Sequence, residues 1–92
     1  MTVYAVRVFE AVRQIPAGEV RTYAQIAKTV GGSGSARGVA TCLRSLGFDS
    51  DTPWWRVVRS DGSVGSSFSE TVKVLSILAL EGVEIEGGKV KL

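Results

Sequence analysis

Histidine is absent from this 92-residue sequence, and cysteine and methionine occur once each. Without histidine there is no imidazole general base, no Ser–His or Cys–His pair and no imidazole ligand for a metal. A lone cysteine excludes an internal disulfide and a thiolate metal site. No metal or cofactor is therefore expected. Apolar runs stay far below the ~18 residues of a membrane span. Charges interrupt the apolar positions of MTVYAVRVFEAVRQ, so neither a signal peptide nor a membrane anchor is expected there. The chain should remain where it is made, in the cytoplasm, nucleoid-associated if prokaryotic. No heptad pattern is visible, and a monomer is expected.

Net charge is small as well, at +2, but it is unevenly placed. Between Arg13 and Arg59 seven basic residues face three acidic ones, a balance of +4, whereas Ser60 to Leu92 carries three basic and five acidic, a balance of −2. A basic middle with an acidic tail suggests one face that meets a polyanion. At this length the chain forms one small domain, burying about 60–65% of its unfolded surface, with no room for a large enclosed active site.

What is present reads as helices first. Ala5, Val8, Phe9 and Val12 fall at i, i+3, i+4, i+7 and predict an amphipathic helix ending before Ile15-Pro16. Glu19-Val20-Arg21 is a short extended piece. Thr22-Tyr23-Ala24-Gln25 fits a capping box opening a second helix, which stops at Gly31-Gly32. After GGSGS a third helix is predicted over Ser35–Leu46, with Val39, Cys42, Leu43 and Leu46 inward and Arg37, Thr41 and Arg44 outward. Two helices around a glycine-containing turn, the second with a basic outer face, read as a helix-turn-helix. Trp55–Val58 reads as a strand, and Ser60-Asp61-Gly62 as a turn into Ser63-Val64-Gly65, which would make a wing. Ser67 or Ser69 caps a last helix, apolar nearly all round and so expected to be largely buried. Val83–Ile85 and Val90–Leu92 close the chain as a hairpin. The predicted fold is α/β, mainly helical: one domain over residues 1–92 with a winged helix-turn-helix core and a short C-terminal hairpin.

Chemistry is concentrated at two places. The third helix opens Ser33-Gly34-Ser35-Ala36-Arg37-Gly38-Val39-Ala40, small residues around one arginine, which suits close approach to something such as the minor groove, only about 6 Å wide. Arg37 either fills the gap left by an extruded base, or contacts a phosphate or solvent. Tyr23 stands in the first turn of its helix, where backbone N–H groups can hold a phosphate, yet its period places it on the apolar stripe. Cys42 lies on an inward face without a histidine to activate it, and is read as a core residue. Trp54 and Trp55 are adjacent. In an extended segment their rings point to opposite faces, one to the core and one outward, where an aromatic face can hold an unstacked base at about 1–3 kcal/mol.

The runs IPAGEVRTYAQIAKTVGGSGSARGVATCL, PWWRVVRSDGSVG and LALEGVEI are similar in order and spacing to the DNA-binding domain of O6-alkylguanine-DNA alkyltransferases. That family reads Pro-Cys-His-Arg-Val where this chain has Pro53-Trp54-Trp55-Arg56-Val57, and its cysteine takes the alkyl group irreversibly. The chain thus resembles the alkyltransferase-like proteins, non-catalytic relatives with Trp often at the acceptor position. It departs from them at Trp55, where the histidine is usually retained. The resemblance implies that Arg37 fills the gap of a flipped nucleotide and that Tyr23 rotates the adjacent phosphate. It also implies that the helix bearing Ser35, Ala36, Arg37, Thr41 and Arg44 meets the minor groove. It implies a lesion pocket among Tyr23, Trp54, Arg56, Val57, Val58, Ser67 and Phe68, with Trp54 as the outward wall and Trp55 as inward filling. Glu81 matches the glutamate that orients the missing histidine.

The function implied is non-enzymatic recognition of O6-alkylguanine in double-stranded DNA by base flipping, with nucleotide excision repair proteins as partners. Two rival readings are a winged-helix DNA-binding regulator without lesion preference, and an enzyme using Cys42 or Glu81.

Overall fold

The computed structural model describes residues 2–31 and 34–92, so Gly32 and Ser33 of the expected small-residue turn lie outside the described residues. Helix α1, Val3–Arg13, begins at Thr2, whose Oγ1 accepts from the Ala5 amide at 3.0 Å. Strand β1 is only Arg21–Thr22, and α2, Tyr23–Val30, follows at once. The capping box forms as expected: Thr22 Oγ1 accepts from the Gln25 amide at 3.1 Å, and Gln25 Oε1 accepts from the Thr22 amide at 2.7 Å. Helix α3 spans Ala36–Leu43, shorter than the predicted Ser35–Leu46, with Ser35 as its cap. A 3-10 turn, Trp54–Arg56, leads into β2, Val57–Val58. Helix α4, Phe68–Leu80, starts at the Ser67 cap, and β3 (Ile85–Glu86) pairs antiparallel with β4 (Lys89–Val90) as the predicted C-terminal hairpin.

The core has two halves that meet at β2. Val8, Val12, Ile26, Val39 and Leu43 of the first three helices close over Val57. Val64, Val74, Leu78, Val83 and Val90 close over Val58. Consecutive strand residues point to opposite faces, so this two-residue strand serves both halves.

Three details differ from the sequence reading. First, β2 pairs in parallel with β1, Arg21 opposite Val57 and Thr22 opposite Val58, and not with residues 63–65. The turn at 60–62 does form, closed by Gly62 N–H to Arg59 C=O at 2.8 Å and Arg59 N–H to Ser63 C=O at 3.0 Å. No ladder extends from it, because side chains take the next carbonyls: Thr71 Oγ1 donates to Val64 and Arg59 Nη2 to Gly65, at 2.8 and 2.6 Å. Second, the two tryptophans are not on a strand. Third, α4 is buried on one stripe only, at Val74 and Leu78, while Phe68, Val72 and Leu80 are exposed.

Candidate nucleic-acid interface

The outward face of the helix-turn-helix carries Ser35, Ala36, Arg37, Thr41 and Arg44, all exposed. Ser35 Oγ accepts from the Gly38 amide at 3.2 Å, so the serine is committed to starting α3. Thr41 likewise spends its hydroxyl on the Arg37 carbonyl at 3.0 Å. Among the described residues the Arg37 side chain makes no hydrogen bond or ion pair, and its guanidinium projects into solvent. A Cβ on Gly34 would lie 2.5 Å from the Tyr4 hydroxyl oxygen, and one on Gly38 3.3 Å from it. Gly34 thus leaves room for the Tyr4 ring of α1, and Gly38 lies close to the same hydroxyl. On the outward face the small exposed residues are Ser35 and Ala36.

Beside this face lies a cleft of about 500 Å³, within the ~300–1,000 Å³ usual for small-molecule sites. Tyr23 of α2, Ala40 and Leu43 of α3, Arg44 just past its end, Val57 of β2 and Glu70 and Val74 of α4 line it, with Trp54, Trp55 and Phe48 as its aromatic wall. The 3-10 turn explains why both tryptophans reach it. Successive residues are about 120° apart there, not the 180° of a strand, and the hydrogen bonds from Trp54 N to Thr52 O (2.8 Å) and Arg56 N to Pro53 O (3.0 Å) hold the turn. The assignment of Trp54 outward and Trp55 inward is thus corrected: both rings are half-buried and share the cleft. Their centroids are 6.0 Å apart at 78°, and Phe48 lies 4.8 Å from Trp54 and 6.4 Å from Trp55, nearly parallel to the latter. Trp54 Nε1 donates to the Gly47 carbonyl at 2.9 Å, fixing the ring against the 46–48 segment.

Of the expected pocket residues, Tyr23, Trp54 and Val57 line the cleft, and four do not. Arg56 turns beneath it, giving Glu81 two hydrogen bonds of 3.0 and 2.7 Å and the Ile15 carbonyl one of 2.8 Å. Val58 is wholly buried in the second core half. Ser67 caps α4, accepting from the Glu70 amide at 3.2 Å, and Phe68 is 86% exposed; Ser66 takes the place on the wall. Phe48, Trp55, Arg59 and Glu70 are cleft residues the sequence reading missed. An aromatic ring inside the polar run Gly47–Thr52 was the available signal for Phe48. Arg59 and Glu70 had none, because they converge from a turn and a helix.

Burial raises the pKa of the Tyr23 phenol; the Arg59 charge opposes that and the Glu70 charge adds to it. The hydroxyl stays a neutral donor. Glu81 is held below the ordinary carboxylate range, by hydrogen bonds from Arg56 first and from Trp55 as a smaller contribution, against burial. Cys42 is half-buried against the first core half. Among the described residues no three acidic, cysteine or histidine side chains converge to hold a metal ion.

Residues 4–83 match the family model "6-O-methylguanine DNA methyltransferase, DNA binding domain". The DNA base-flipping protein of Vibrio parahaemolyticus is 38% identical over 93 residues, covering 100% of this chain and 93% of that protein. Alkyltransferase-like protein 1 of Schizosaccharomyces pombe is 38% identical over 64 residues, 70% of this chain and 59% of that protein. In its crystal structure with damaged DNA containing O6-carboxymethylguanine, S. pombe Atl1 has a TM-score of 0.85 to this chain at 34% identity, covering 100% of this chain and 90% of that one. With its fold matched along its whole length and its sequence matched over residues 4–83, the chain belongs to the family of the 6-O-methylguanine DNA methyltransferase DNA-binding domain.

Proposed function

We propose that this chain recognises O6-alkylguanine in duplex DNA, extrudes the damaged nucleotide into the aromatic cleft, and leaves the alkyl group where it is. The observation that carries this reading is the cleft itself. It is walled by Trp54, Trp55 and Phe48 and opens beside the helix that bears Arg37. Stacking on such a wall contributes about 1–3 kcal/mol per base. Relatives named for base flipping, and a related protein crystallised with O6-carboxymethylguanine DNA, support it.

Each residue then has a part. The smooth start of α3, at Ser35 and Ala36, approaches the minor groove, and Arg37 inserts where the base has left the stack. The neutral Tyr23 hydroxyl donates to the phosphate beside the flipped nucleotide, and Arg44 contributes charge to the same strand. Thr41, whose hydroxyl proton goes to the Arg37 carbonyl, contributes its methyl group and an acceptor oxygen. Trp54 stands at the family's acceptor position, and an indole carbon is too weak a nucleophile to take an alkyl group. No imidazole is available to activate another residue. A bound and unrepaired lesion is a mark, and we assign its removal to nucleotide excision repair, with the chain acting as a monomer.

The test uses a duplex with a radiolabelled O6-methyl group. Retention of the complex on a filter, with the label still on an intact DNA strand, is the expected result. Label on the protein, or loss of the base, would overturn the non-enzymatic reading. Equal retention of the unmodified duplex would leave a DNA-binding module without lesion preference.

A further inference from the structure

Glu81 is in the wrong place for its own helix. It follows the last residue of α4, at the negative end of the helix dipole, where a carboxylate is disfavoured, and no basic residue stands in the last turn to offset it. Its partners lie elsewhere. The Arg56 guanidinium grips both carboxylate oxygens, Nε to Oε1 at 3.0 Å and Nη2 to Oε2 at 2.7 Å. The remaining nitrogen of that guanidinium, Nη1, donates to the Ile15 carbonyl, two residues past the end of α1, at 2.8 Å. Every nitrogen of Arg56 is therefore used, and the fork cannot swing without breaking contact with either Ile15 or Glu81. Held this way, Glu81 Oε2 accepts a further hydrogen bond from Trp55 Nε1, at 3.3 Å. The side chains of both ions are 16% exposed, so most of the pair is shielded from water.

We infer that Glu81 is a positioning residue for the cleft, holding the Trp55 indole by its Nε1–H so that the aromatic wall is formed before DNA arrives. This rests on the proposed reading of the cleft as the seat of the extruded base. Trp55 is half-buried, with the Arg56 guanidinium 5.8 Å from its ring centroid, and its one N–H needs an acceptor. That acceptor is Glu81, and the resulting orientation places the ring edge-on to Trp54 and alongside Phe48. A wall already in place spares the complex the ordering of two large side chains, and this gain is realised only when a base occupies the cleft. Contacts of α3 with the DNA backbone do not pass through Glu81. Selectivity for the lesion should accordingly depend on Glu81, and affinity for undamaged DNA should not.

The experiment compares Glu81→Ala, Glu81→Gln and Glu81→Asp with the wild type, by near-ultraviolet circular dichroism and by binding to duplexes with and without O6-methylguanine. In Glu81→Ala the dichroism of the tryptophan pair should collapse and the lesion preference fall by about tenfold, with undamaged DNA bound within about twofold of wild type. Glu81→Gln, which keeps an acceptor oxygen for the indole, should restore most of both signals. Unchanged dichroism and preference in Glu81→Ala would overturn the inference, as would parallel loss for both duplexes without restoration by glutamine. Should Glu81→Ala fail to fold, Glu81→Asp decides, since it keeps a carboxylate for Arg56 and draws the oxygen away from the Trp55 indole, leaving the wall side chains intact. Preference must then drop severalfold, and an unchanged preference overturns the inference. Dichroism needs no lesion, so a wild type without lesion preference would count against the proposed function, while the tryptophan signal still decides the positioning role.

Discussion

Replacing Arg56 with alanine removes hydrogen bonds of 2.7, 2.8 and 3.0 Å and leaves the Glu81 carboxylate with Trp55 alone. Stripping one partner from a buried ion pair costs about 3–5 kcal/mol, because the remaining charge is left uncompensated. With both side chains 16% exposed, solvent reaches part of this pair, and the expectation falls to about 2–3 kcal/mol. Domains of this size have stabilities of roughly 0.05–0.15 kcal/mol per residue, so the variant should still fold, with a Tm lowered by roughly 10–20 °C. Urea denaturation followed by far-ultraviolet dichroism gives the free energy directly. A double-mutant cycle with Glu81→Ala should return a coupling of about 1–2 kcal/mol. Arg56→Met, which keeps the apolar stem, should be as destabilised as Arg56→Ala to within about 0.5 kcal/mol if charge and hydrogen bonds dominate packing. Single variants within about 0.5 kcal/mol of wild type, or strictly additive effects, would mean that this pair does not tie the segment after α1, the 3-10 turn and the end of α4 together.

Further outcomes follow from the same geometry. Gly62→Ala should lose about 2 kcal/mol or more in urea denaturation, because φ is +86° and an added Cβ would meet the Val90 carbonyl; Gly82→Ala, at φ +94° in open space, should lose only about 1 kcal/mol. Arg37→Ala should leave the thermal midpoint unchanged, within about 0.5 kcal/mol, yet weaken binding to a lesion duplex more than to an undamaged one. Acid should destabilise the fold: Glu81 titrates below its unfolded value, and Asp61, accepting from the Ser63 hydroxyl and amide, is held at about 2. Groups with depressed folded values contribute stability that is present above the unfolded pKa and lost as pH falls through the folded one. Urea midpoints should thus decline from about pH 5 downward, and Glu81→Gln should flatten the decline.

Local signals in the sequence were reliable. The Thr22–Gln25 capping box needs only four consecutive residues, and Ser35 and Ser67 cap their helices through amides three positions on. The C-terminal hairpin was legible because Gly87-Gly88 marks its turn between apolar positions. What escaped was non-local or ambiguous in period. The β1–β2 pair joins two-residue strands far apart in the chain, too short for any alternation to register. Trp54-Trp55-Arg56 has strand-like composition, but Pro53 and the backbone bonds around it wind the run into a 3-10 turn. That one change of local geometry moves Trp55 onto the cleft wall. Arg56 carries no sequence mark of its partner, because Glu81 lies 25 residues away and was matched to a histidine the chain lacks. The exposed apolar side chains of α4 likewise followed from period, not composition: only positions in register with Val74 and Leu78 face the core.

The proposed seat of an extruded O6-alkylguanine is the cleft, against Trp54. Equilibrium titration of two duplexes identical except for one O6-methylguanine, with wild type and Trp54→Ala at several salt concentrations, tests it most directly, since phosphate contacts make any single affinity salt-dependent. Wild type should favour the lesion by about tenfold (~1.4 kcal/mol) or more at every salt, and Trp54→Ala should lose most of that preference without a change in salt slope. Equal affinity of the wild type for both duplexes, or a preference untouched in Trp54→Ala, would contradict it.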